Sequence, residues 1–172
     1  LYAAAARLIT VFIWAQAAFN TVLEPKTARL IHDLVLLKNN FSKMVLGSFL
    51  ASLGIIILIP LAPFILPLLL GKDIDLSIRI FQILLIGVIF FVASTPSMVT
   101  LMATGRSKII GLLSTIQLAA GLILHLWLIP ALGGLGAAIA VTGTYLLTFL
   151  LATLSGLRLF KQPLNRRLQL MS

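Results

Sequence analysis

Long apolar runs without charged side chains constrain this chain more than any other feature. Residues 44–70 and 80–103 contain no Asp, Glu, Lys or Arg, and residues 1–23 contain only Arg7. A helix needs about 20 mostly apolar residues to cross the hydrocarbon core of a bilayer. Each run is long enough and therefore predicts a transmembrane helix.

A longer uncharged run, 109–157, exceeds one crossing and contains turn-forming residues between Pro130 and Gly134. It predicts two helices joined by a tight turn. The runs are apolar all round and do not alternate with polar residues as barrel strands do. We therefore predict an all-α, polytopic membrane protein with about five spans, at 1–23, 44–70, 80–103, 109–129 and 135–157.

Composition supports lipid as part of the solvent. Hydrophobic residues make up 60% of the 172 residues and charged residues only 10%, whereas soluble domains carry about 25% charged residues.

There is no cysteine, which excludes disulfides. The net charge of +9 is typical of basic membrane loops. No basic stripe alternates with aromatic residues, so we expect no nucleic-acid partner.

The basic residues predict an orientation. If the five spans alternate, ten Lys and Arg side chains fall on one side of the membrane, in the first loop, the third loop and the C-terminal tail. The positive-inside rule places that side in the cytoplasm. We expect the tail, 158–172, to be cytoplasmic, and residues 26–43 to form an amphipathic helix at the interface.

The chain begins without Met, and we expect it to be a piece of a longer protein.

Arg7 is the candidate site residue with the sharpest chemistry. A cation within a span is costly, so it commonly faces a water-filled cavity on a substrate path. The alternative is snorkelling, since Arg7 lies close enough to the helix end to reach the head groups. Gln16, Asn20 and Glu24 follow an i, i+4, i+8 pattern and share one helical stripe. That stripe is predicted to face a polar lumen.

Four prolines are candidate hinges for a conformational change. Pro60, Pro63 and Pro67 are closely spaced in the second span, and Pro96 lies within the third. A proline kink in a membrane helix serves either as a hinge for alternating access or as a fixed bend for packing. Small residues at Gly111, Thr115 and Ala119, and again at Gly136, Ala140 and Thr144, predict close helix packing.

Enzyme chemistry has no support in the sequence. All four carboxylates fall in loops or at helix ends, and the motifs of zinc proteases, serine hydrolases, P-loop enzymes and dinucleotide-binding proteins are missing. His32 and His125 lie in different contexts and make no metal cluster with acids. We expect no catalytic residue, no metal and no cofactor.

Five short motifs occur in order at helix ends and turns: YAAAARLI at 2–9, VLEP at 22–25, LLLG at 68–71, LMATGRSK at 101–108, and LIPALGGLGAAIA at 128–140. Together they resemble motifs of the polysaccharide flippases in the multidrug/oligosaccharidyl-lipid/polysaccharide (MOP) superfamily. The resemblance covers nearly the whole chain. It implies helices eight to twelve of a twelve-helix, MATE-like transporter, most of the C-terminal lobe.

The resemblance implies a function as well as a fold. It implies flipping of undecaprenyl-diphosphate-linked oligosaccharide across a bacterial inner membrane, for lipopolysaccharide or exopolysaccharide synthesis. Arg7 would contact the diphosphate, with Gln16 and Asn20 near sugar or water, and Gly105, Arg106 and Lys108 would form a cytoplasmic turn. The implied partners are the substrate, membrane lipids, the missing N-terminal lobe and polysaccharide polymerase machinery.

Two alternatives predict different partners for these spans. A drug or cation exporter of the same superfamily requires acidic residues in its cavity, and these spans contain none. A structural membrane subunit without transport activity requires Arg7 to face lipid head groups.

Overall fold

Five long helices build the protein in a computed structural model that describes residues 2–30, 33–71 and 75–161. They are α1 (Tyr2–Ala28), α2 (Leu34–Leu70), α3 (Asp75–Ala103), α4 (Ser107–Leu132) and α5 (Gly134–Lys161). All five are long and apolar enough to cross a membrane. The predicted all-α, five-span architecture is confirmed.

Large apolar side chains cover the outside of the bundle. Phe64 is 79% exposed, Leu68 87% and Trp127 81%. Apolar surface on this scale is unfavourable in water and favourable against lipid chains. The protein is therefore a multi-pass membrane protein, and its helices satisfy their backbone polar groups internally, as lipid requires.

Helix α3 lies at the centre of the bundle. It packs against α1, α2 and α5, whereas α4 packs mainly against α5 and α1 scarcely touches α2. The main core joins α3 residues such as Ile80, Leu85 and Val88 to Ile9 of α1 and Leu66 of α2. A helix surrounded by protein contributes most of the buried area, so α3 positions every other helix except α4.

Glycines with positive φ allow the two tight turns. Gly105 (φ 69°) ends α3, where Arg106 N donates to Leu101 O at 3.2 Å. Gly133 (φ 57°) separates α4 from α5, and its N–H donates to Ile129 O at 2.8 Å. These conformations satisfy the last carbonyls of each helix and are unfavourable for residues with a Cβ.

The helix boundaries differ from the predicted ones in α4, in residues 26–43 and at the end of α5. Helix α4 continues through Pro130, and the break comes at Gly133, because a membrane helix tolerates a proline whereas the turn needs the glycine conformation. The described residues of 26–43 form no separate amphipathic helix: 26–28 end α1, and 34–43 begin α2 after the Asp33 N-cap, while 31 and 32 lie outside the described residues. In the predicted tail, 158–161 continue α5, and 162–172 lie outside the described residues.

Of the two predicted small-residue faces, only the one on α5 is packed. Ala140 and Thr144 are buried, and a Cβ at Gly136 would lie 2.0 Å from Leu128 O. On α4, a Cβ at Gly111 would meet no atom within 4 Å. Close backbone approach therefore depends on the partner helix as well as on the small residue.

Gly136→Ala is expected to lower the Tm of the protein in detergent by about 2–12 °C. Overpacking costs about 1–3 kcal/mol, and each kcal/mol shifts the Tm of a chain of this size by about 2–4 °C. Thermal unfolding of the purified protein measures the effect. Gly111→Ala is the matched control and should leave the Tm unchanged or slightly raised; equal Tm values for the two variants would contradict the packing.

Candidate functional site

A groove opens between α1 and α2, with α3 as its floor; we name it the α1–α2 groove. It has two adjoining parts, of about 220 Å³ and 440 Å³, which share four lining residues. Its α1 wall consists of Phe12, Ala15, Gln16, Phe19, Leu23 and Lys26. The larger part is almost wholly apolar, and the smaller part carries the polar and basic side chains.

The α2 wall faces it with residues three or four apart, namely Asn40, Lys43, Gly47, Ala51, Gly54 and Leu58. This spacing places them on one helical face. The floor contains Val88, Val92 and Thr95. The groove thus changes along its length from apolar, near Leu58, to basic, at Lys26 and Lys43.

Buried polar groups close the basic end. Asn40 Nδ2 donates to Thr27 Oγ1 at 3.0 Å, and Thr27 Oγ1 donates to Leu23 O at 2.8 Å. Both side chains are buried. The Asn40–Thr27 bond joins α1 to α2 on the loop side of the lysines, and Thr27 Oγ1 also lies 3.9 Å from Met44 Sδ of α2, so the two walls converge at this end of the groove.

Gln16 and Asn20 face the bundle. Gln16 Nε2 donates to Thr95 Oγ1 of α3 and lies 3.5 Å from Asn20 Oδ1. Gln16 therefore lines the groove and ties α1 to α3. Among the described residues, Asn20 has no polar contact with another helix.

Arg7 lies on the other side of α1. Its separation from Gln16 equals about two and a half helical turns, and it shares an exposed face with Val11 and Trp14. Within the described ranges no residue forms a salt bridge with Arg7. The structure thus brings Gln16 and Asn20 together and places Arg7 on the opposite face of the helix.

The prolines in α2 are partly compensated by α3. Pro63 removes the N–H that would bond Ile59 O, and Gln82 Nε2 of α3 donates to that carbonyl at 3.0 Å. Pro60, Pro63 and Pro67 are exposed on α2, whereas Pro96 is buried within α3. Whether any of them acts as a hinge stays a prediction.

The predicted turn residues lie between α3 and α4. Gly105 supplies the positive φ, Arg106 is half-buried, and Lys108 is exposed in the first turn of α4. Each helix crosses the membrane once, so this turn lies on the same face as the loop between α1 and α2. Lys26, Lys43 and the end of α5 lie towards that face too.

A second cavity, of about 420 Å³, lies between α4 and α5. Gln117, His125 and Tyr145 line it. The His125 ring is 2.7 Å from Gly121 O through Nδ1; a carbonyl accepts only, so Nδ1 donates this hydrogen bond. Gln117 and His125 thus share one cavity.

Three polar residues that the sequence did not single out, Thr27, Asn40 and Thr95, form hydrogen bonds between helices. Lys26 and Lys43, which the sequence indicates only as loop charges, line the groove. Spacing on α1 and α2 separately was visible, but nothing in the sequence pairs those two faces. Among the described residues, no three His, Asp or Glu side chains are grouped to hold a metal ion.

Comparison of this chain with known protein families, curated proteins and solved structures gives no match.

We expect Gln82→Met to destabilise the protein by about 0.5–1.5 kcal/mol, the range of interhelical hydrogen bonds in membranes. In a Pro63→Ala background, the restored N–H donates to Ile59 O. Gln82→Met should then lower the free energy of unfolding by less than it does in the protein with Pro63. Unfolding of the four proteins in mixed detergent gives this double-mutant cycle. Strictly additive effects would show that Gln82 does not compensate for the proline.

Proposed function

We propose that this chain is part of a flippase that moves undecaprenyl-diphosphate-linked oligosaccharide across the bacterial inner membrane for surface polysaccharide synthesis. The observation that carries the proposal is Arg7, an exposed guanidinium in the first span with no salt bridge to a described residue. The motif order along the chain supports the same function.

The chemistry of Arg7 suits a diphosphate. A guanidinium is planar, stays charged, and presents donors that match phosphate oxygens in pairs. A cation at membrane depth is costly unless it meets water or an anion. On the outward face of α1 that also carries Trp14, it is available to a ligand that passes along the helix.

In the proposed mechanism, Arg7 attracts the anionic diphosphate into a cavity between this lobe and an N-terminal lobe. The two lobes rock around the site, and the site opens first to the cytoplasm and then to the other side. The isoprenoid tail stays in lipid throughout. The prolines of α2 and α3 are the hinge candidates in this motion.

Charge distribution supports the orientation. Lys26, Arg29 and Lys43 lie around the loop between α1 and α2, and Arg106 and Lys108 lie at the turn between α3 and α4. The positive-inside rule assigns this face, with the C-terminus, to the cytoplasm. In this arrangement polysaccharide polymerase machinery would receive the substrate on the far side.

A drug or cation exporter is the less favoured candidate. The described carboxylates are Glu24, Asp33 and Asp75, and each lies close to a helix end. A cationic drug would therefore find no acidic partner at membrane depth in this part of the chain. A structural subunit without transport activity predicts that Arg7 contributes only to membrane anchoring.

The Arg7 hypothesis predicts that Arg7→Ala in the full-length protein reduces surface polysaccharide about tenfold or more, because charge-assisted hydrogen bonds contribute about 1.5–3 kcal/mol each. Arg7→Lys should retain an intermediate level, since lysine keeps the charge and loses the planar fork. Complementation of a strain that lacks the protein, with polysaccharide quantified on gels, measures both.

Arg158→Ala is the matched control, because Arg158 is an exposed arginine at the far end of α5. It should complement like the wild type. Unchanged polysaccharide in Arg7→Ala, at normal protein levels, would refute the role of Arg7.

A further inference from the structure

We propose that the α1–α2 groove binds one anionic phospholipid, with the phosphate between Lys26 and Lys43 and one acyl chain over Gly47, Ala51 and Gly54. This site is separate from the face of Arg7, on the opposite side of α1. It does not depend on the proposed transport function.

The first argument is the space that small residues leave. Gly47, Ala51 and Gly54 face α1, and such residues usually let two helices approach closely. Here a Cβ at Gly47 or at Gly54 would meet no atom within 4 Å. The small residues therefore create a groove instead of a helix contact.

The second argument is length. From Lys43 to Leu58 the α2 wall rises about 22 Å at 1.5 Å per residue, and one leaflet of the hydrocarbon core is about 15 Å thick. Helix α2 has 37 residues and extends about 55 Å, so its first turns project beyond the core. The lysines then lie near head-group depth, and the apolar part reaches the bilayer midplane.

The third argument is charge. Lys26 and Lys43 line the same end of the groove, and neither forms a salt bridge with a described residue. No acidic side chain is among the lining residues. Asn40 and Ser48 add polar groups at this end. Two cations above polar groups favour a phosphate, and the apolar part favours an acyl chain.

The converging walls favour a lipid over another helix. The Asn40–Thr27 hydrogen bond, at 3.0 Å, holds α1 and α2 together on the loop side of the lysines. A helix with its side chains is about 10–12 Å across and could enter this end only by breaking that bond. An acyl chain is much thinner than a helix, and its place in the groove is the apolar part near Gly54 and Leu58, away from this bond.

The test uses full-length protein, purified in detergent and delipidated, with binding followed by thermal shift and native mass spectrometry. Phosphatidylglycerol should raise the Tm and be retained, phosphatidylcholine with the same chains should act more weakly, and inorganic phosphate alone should have no effect. A shift with phosphate equal to that with phosphatidylglycerol would reveal an anion site only and overturn the proposal.

Two kinds of variant separate the head group from the chain. Lys26→Ala and Lys43→Ala should each weaken phosphatidylglycerol binding about fivefold, as expected for a lysine near an anionic surface, and leave phosphatidylcholine binding unchanged. Lys38→Ala, an exposed lysine of α2 outside the groove lining, is the control. Unaltered preference for phosphatidylglycerol in the double lysine variant would overturn the proposal.

Gly47→Leu should fill the groove and abolish retention of both lipids, and Gly111→Leu on the open face of α4 should not. If Gly47→Leu instead keeps its lipid and changes the oligomeric state, the groove is a protein interface and the proposal fails. The Arg7→Ala variant should bind phosphatidylglycerol like the wild type. Loss of the phospholipid site and loss of the transport role of Arg7 therefore give different results, the first in lipid binding and the second in surface polysaccharide.

Discussion

Hydrogen bonds that join α3 to α1, α2 and α5 hold the described part of this bundle in register. Gln16 of α1 bonds Thr95, Ile59 O of α2 accepts from Gln82, and Thr142 of α5 bonds Ile83 O at 2.9 Å. Lipid provides no hydrophobic drive between helices, so packing and such bonds decide which helices associate. With three faces of α3 occupied, α1 and α2 are neighbours that scarcely touch, and the groove between them follows from this arrangement.

The same residue type has opposite consequences in different places on this framework. Gly136 allows α5 to lie against the backbone of α4, and Gly87 allows α3 to lie against Thr142. Gly47 and Gly54 face open space, and so does Gly111. Glycine permits close approach and does not cause it. Other contacts must bring the neighbouring helix close to the glycine. Where no helix is brought close, as at Gly47 and Gly54, the space can hold a lipid chain.

Helix α1 therefore has two chemically different sides. One carries Arg7 and Trp14 and faces away from the described helices; the other carries Gln16 and Lys26 and borders the groove. The proposed flippase function uses the first side and the proposed phospholipid site uses the second. Both assign an anionic ligand to a basic side chain at a membrane helix, because a cation in or near lipid is stabilised by water or by an anion.

The sequence by itself determined that the chain is helical, that it crosses the membrane five times, and which residues are charged within or beside the spans. These follow from local composition, since about 20 apolar residues can only be a helix in lipid. It also identified Arg7, Gln16 and Asn20 as polar positions on α1. The spacing of Arg7 and Gln16 places them on opposite faces of α1. Only the tertiary structure decided that the face of Gln16 turns to the bundle, that α2 continues from Leu34 without a separate interfacial helix, and that Lys26 and Lys43 meet at one groove. Apolar helices present similar surfaces all round, so the choice of neighbours depends on a few interhelical contacts, such as Gln16–Thr95 and Gln82–Ile59, that no single helix specifies.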